Sequence, residues 1–95
     1  MQVKEHDFSL SAAEWERTVF DAATHFLVVL SQGAGEREVE RFERHQLLDA
    51  MQRACGRRGP FGRRATLYAV AASGRSITID RRDWPTWERR WRAGQ

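Results

Sequence analysis

Phe26-Leu27-Val28-Val29-Leu30 is the stretch on which the fold turns. It is a continuous apolar run with two β-branched valines, bounded by His25 and Ser31. As part of a helix it continues the spacing of Trp15, Val19, Ala22, Ala23 and Phe26, with Gly33 as terminator. As a buried strand it follows a shorter helix. A run this short satisfies both templates, because every position is apolar and periodicity has nothing to distinguish. The first expectation is one long helix from about Ala12 towards Gly33. The alternative makes residues 25–31 a buried strand.

Upstream, the start of that helix is well marked. Ser11-Ala12-Ala13-Glu14 is a capping box: Ser11 accepts a first-turn N–H and Glu14 reaches back to the Ser11 N–H. Leu10 and Trp15 flank it as a hydrophobic staple. Residues 3–10, with Val3, Phe8 and Leu10, read as a short strand. Downstream, residues 31–35 form a loop and residues 36–55 read as a second helix. There, EREVERFERHQ alternates acid and base on a solvated face, with Val39 and Phe42 opposite. Leu47, Leu48, Met51, Ala54 and Cys55 extend the apolar side, and Gly56 ends it.

The segment GRRGPFGRR, residues 56–64, holds three Gly and one Pro and is irregular. Residues 65–72 and 75–80 form a β-hairpin around Ser73-Gly74. Asp80-Arg81-Arg82-Asp83-Trp84 then repeats the grammar of Ser11–Trp15: strand, oxygen-bearing cap, two residues, acid, Trp. A terminal helix over residues 81–93 follows, with Pro85 in its first turn and Trp84, Trp87 and Trp91 on one face. The expected fold is therefore α+β, one domain over residues 1–95. A small antiparallel three-stranded sheet is packed by helices in the order β-α-α-β-β-α. With residues 25–31 as a strand, the order becomes β-α-β-α-β-β-α.

Composition bounds the function. The chain has 95 residues, 41% hydrophobic and 31% charged, which excludes a disordered or low-complexity segment. One Cys excludes an internal disulfide framework and a Cys-rich zinc site, and it fits a reducing, cytoplasmic setting. No run approaches a membrane span, and MQVKEHDFSL lacks the pattern of a secretory leader, so no membrane partner is expected.

Charge is the strongest signal. Residues 1–50 carry 5 basic and 10 acidic groups, and residues 51–95 carry 11 arginines and 3 acids. The net charges of the halves are −5 and +8, which points to a polyanionic partner, an acidic protein partner, or attraction between the halves. The candidate binding residues are Arg57, Arg58, Arg63, Arg64, Arg75, Arg81, Arg82, Arg89, Arg90 and Arg92. Arginine suits such a role because its planar fork grips phosphate or carboxylate with two donors.

Catalytic patterns are weaker. His45 and Asp49 are spaced as two metal ligands on a helix, but no second pair accompanies them, and they read as an exposed His beside an acid. Cys55 has basic neighbours but lies near a helix C-terminus, where the dipole disfavours a thiolate; it reads as a half-buried core thiol. Gly33-Ala34-Gly35 lacks the third glycine of a dinucleotide fingerprint, since position 38 is Glu38. The carboxylates form no evident acid–base couple. The Trp stripe reads as core rather than a base-stacking ridge. The expectation is a non-catalytic interaction domain without cofactor or metal. It binds protein, foremost a second copy of itself as a homodimer. The alternative is sequence-tolerant binding of RNA or DNA through the Arg-rich loop and terminal helix.

Overall fold

The computed structural model describes residues 11–32, 36–56 and 64–94. Helix α1 (Ala12–Asp21) starts at the capping box. The Glu14 N–H donates to Ser11 Oγ at 3.1 Å, and the Ser11 N–H donates to Glu14 Oε1 at 3.0 Å. The expected strand over residues 3–10, and Leu10 of the staple, lie outside the described residues.

The long helix is not formed. Helix α1 stops at Asp21 with Ala22 as its cap, and β1 (Ala23–Gln32) takes over the apolar run. Val28 and Val29 lose side-chain freedom in a helix, whereas a central strand buries Val28 on one face and half-buries Val29 on the other. The second expected helix is corrected as well. Its first half is strand β2 (Glu36–Glu43); a 3₁₀ turn, Arg44–Gln46, leads into helix α2 (Leu47–Gly56). The alternation of EREVERFE fits a period of two as well as helical charge pairing. An edge position lets those charges stay in water while β1 supplies the backbone partners.

Strands β3 (Arg64–Ala71) and β4 (Ser76–Ile79) form the expected hairpin. Gly74 adopts φ +93° in its turn, a conformation that costs glycine little and strains other residues. A 3₁₀ turn, Arg81–Asp83, precedes the terminal helix α3 (Trp84–Ala93), with Pro85 in the first turn. Asp80 makes no side-chain cap there; its carboxylate lies 3.4 Å from Arg82. Trp84 nevertheless reaches the residue before that position, donating to the Ile79 carbonyl at 3.2 Å.

Among the described residues the sheet therefore has four strands, all antiparallel, in the order β2-β1-β3-β4. The α+β class is as expected, and the alternative's buried strand over residues 25–31 is formed; the three-stranded sheet gives way because residues 36–43, a helix in both expected orders, are a strand, so the described residues run α-β-β-α-β-β-α. A bulge at Thr24 shifts the register, so Ala23 and Phe26 point to the same side. That side is the core. Phe26, Val28, Phe42, Leu67, Ala69, Ile77 and Ile79 meet Phe20 of α1, Leu47, Ala50 and Met51 of α2, and Trp87 and Trp91 of α3. Trp87 and Trp91 are each 7% exposed, and the ring centroids of Phe20 and Trp87 lie 4.6 Å apart.

One polar side chain ties these elements together. Arg44 Nη1 donates to the Phe20 carbonyl at 2.7 Å and the Ala23 carbonyl at 3.0 Å, and its guanidinium lies over the Phe20 ring. Trp91 Nε1 donates to the Arg44 carbonyl at 2.9 Å. The end of α1, the start of β1, the 3₁₀ turn and α3 thus converge on one residue.

Candidate functional site

Side chains alternate along a strand, so a sheet whose helices all bury their apolar sides on one face presents a second set on the other. The register fixes that set. Across β2, β1 and β3 the rows run Val39–Val29–Thr66, Arg41–Leu27–Tyr68 and Glu43–His25–Val70, and Arg37 lies opposite Ser31. Thr78 and Ser76 of β4 lie opposite Tyr68 and Val70. Leu27, Val29, Tyr68 and Val70 are half-buried, and Val39 on the edge strand is 57% exposed. The centre of this face is apolar and its β2 rim is charged. Arg41 Nε donates to Glu43 Oε2 at 3.1 Å along that rim.

The sequence reading missed this face, because it exists only if residues 36–43 are a strand. Its one available signal was the period-two placement of Arg37, Val39, Arg41 and Glu43.

The arginines singled out by charge have mixed fates. Arg57, Arg58 and Arg63 lie outside the described residues, and of Arg64 only the backbone, at the start of β3, is described. Arg90 grips Asp21 of α1 with two hydrogen bonds, at 2.8 and 2.6 Å. Arg92 pairs with Glu88 one turn earlier, at 2.8 Å, and lies over Trp91. Arg82 pairs with Asp80. Arg75 stacks 4.8 Å over the Trp15 ring of α1. Arg81 lies over Trp84 and donates to Cys55 Sγ at 3.0 Å. Arg89 is exposed on α3.

A further contact joins the acidic and basic halves, beside that of Arg90 with Asp21. Arg53 of α2 lies 2.8 Å from Glu40 of β2, and that hydrogen bond raises the Arg53 pKa above its ordinary value. The Asp21 contact does the same for Arg90. Part of the −5/+8 asymmetry is therefore satisfied inside one molecule.

No family model, curated protein or solved structure matches the chain.

The remaining candidates have simple surroundings. Cys55 is exposed, not a half-buried core thiol, because it falls on the solvent side of α2 beside buried Ala54. Among the described residues, no group of three or more His, Cys, Asp and Glu is placed to hold a metal ion. No helix among them is long and apolar enough to cross a membrane.

Proposed function

We propose that the protein is a non-catalytic interaction domain that associates with a second copy of itself through the face of the sheet opposite the helices. What carries the reading is the composition of that face: Leu27, Val29, Val39, Tyr68 and Val70 are contiguous across three strands. Covering them removes apolar surface from water, at roughly 25 cal/mol per Å². Two such faces packed about 10 Å apart make an ordinary β-sandwich interface.

A protein partner is favoured over nucleic acid by the aromatic content of the face. Among the described residues Tyr68 is its one Phe, Tyr or Trp, with His25 beside it, whereas single-stranded nucleic acid sites present several large rings for successive bases. The arginines with described side chains are mostly engaged with Asp21, Glu88, Asp80, Trp15 and Trp84.

Sedimentation velocity over a wide concentration range tests the reading, with Val39→Arg, which puts a cation on the face, as the comparison. The unsubstituted chain is expected to form dimers and the variant to remain monomeric with an unchanged far-UV spectrum. A chain that stays monomeric throughout, or a dimer indifferent to Val39→Arg, overturns the proposal. A monomer that binds a single-stranded oligonucleotide overturns it in favour of the nucleic-acid reading.

A further inference from the structure

We infer that the two copies are related by a twofold axis running across the strands, at the level of Glu40 and Val28, and that Arg37 and Glu43 select this arrangement. The inference rests on the self-association proposed above and adds its geometry.

The argument starts from β2. On the open face this strand presents Arg37, Val39, Arg41 and Glu43, and the midpoint of the four lies at Glu40. The register puts Glu40 opposite Val28, and Val28 opposite Leu67. A twofold axis crossing the strands at that level turns each copy's β2 over the other's, in the reverse direction. Arg37 then faces Glu43 of the second copy, and Glu43 faces its Arg37. The same operation sets Leu27 against Val29, Tyr68 against Thr66, and Val39 against the aliphatic stem of Arg41, so the strands β1 and β3 bring apolar groups together while β2 places charge at the rim.

An isologous contact repeats every pairing, so one complementary pair becomes two. Arg and Glu side chains are long enough to meet across sheets about 10 Å apart at the rim. Strands of the two sheets stay close to aligned, within the ~30° that sheet twist imposes. The competing axis, parallel to the strands, lays β2 over the second copy's β4. There Glu43 meets Ser76, which offers no cation. The charge pattern of β2 thus favours one axis, much as rim charges generally set register more than affinity.

The discriminating experiment is charge reversal read by sedimentation equilibrium. Arg37→Glu alone sets two carboxylates against each other at both rims, and Glu43→Arg alone sets two guanidiniums; each is expected to weaken the dimer by about tenfold or more. Mixed together, the two variants form a heterodimer in which both rims are complementary again. Its affinity is expected within about threefold of the unsubstituted dimer, the scale of one exposed ion pair.

Because the Glu43 side chain also accepts from the backbone at Gln46, Glu43→Gln serves as the folding-neutral second variant. It keeps an acceptor and is expected to weaken the dimer by a few-fold. Single variants that dimerise normally, or a mixture that fails to recover while Val39→Arg still dissociates the dimer, overturn the inference and leave self-association standing. A chain that is monomeric at every concentration overturns both.

Discussion

Arg44 bears more structural consequence than its half-buried position suggests. Its guanidinium serves two carbonyls at the break between α1 and β1, where the helix has run out of internal donors. Its own carbonyl receives Trp91 of the last helix. Arg44→Ala is expected to destabilise the fold by about 2–4 kcal/mol in urea unfolding, the range for hydrogen bonds made by a charged donor with a buried carbonyl left over. Arg44→Lys recovers only part of this, because an ammonium lacks the planar fork and the stacking on Phe20. Trp87 makes a contrasting case with little polar content. Buried against Phe20, it contributes by area and shape, and Trp87→Ala is expected to cost about 3–5 kcal/mol by the same measurement. At this scale the sequence was informative about the Trp stripe, whose spacing marked a core face. It was silent about Arg44, whose partners Phe20, Ala23 and Trp91 lie 24, 21 and 47 residues away.

Among the elements, α1 owes its start to local chemistry, and its stability responds to pH accordingly. The Ser11 backbone N–H, then the Ser11 side chain, hold the Glu14 pKa below the ordinary carboxylate range. In the unfolded chain Glu14 lacks these donors and binds its proton at higher pH. Between the two values the unfolded state carries more protons, so stability rises with pH across that window. The cap's contribution is complete above the ordinary carboxylate range and is lost as the pH falls through the lowered value. Glu14→Gln is expected to flatten this part of the acid limb of a thermal-stability profile. At neutral pH, Ser11→Ala is expected to cost about 1 kcal/mol. Elements with such local markers were legible: the capping box, the Ser73-Gly74 hairpin, and the Trp-bearing terminal helix. The β1–β2 hairpin was not. Its first strand is apolar at each of residues 26–30, which erases any period, and EREVERFE satisfies i,i+4 charge pairing and i,i+2 alternation together. Only the pairing of Phe26 with Phe42 and Val29 with Val39 decides between them, and that is a long-range fact.

For the molecule as a whole, charge and burial divide the work. The halves of opposite sign meet within one copy, through Arg90 on Asp21 and Arg53 on Glu40. These pairs are exposed and screened by salt, so raising ionic strength is expected to leave the unfolding midpoint nearly unchanged. Among the described residues, the helices leave the second face of the sheet with an apolar centre and a charged β2 rim. Charge asymmetry was the feature most legible in the sequence, yet the surface proposed to act is set by a strand that the charge pattern disguised. Self-association through that face has a residue-resolved signature. In a dilution series of ¹⁵N- and methyl-labelled protein followed by NMR, the signals that move are expected to be those of Leu27, Val29, Val39, Tyr68 and Val70, with the helices α1, α2 and α3 still. Spectra that do not change on dilution, or changes confined to the helical side, would contradict the account.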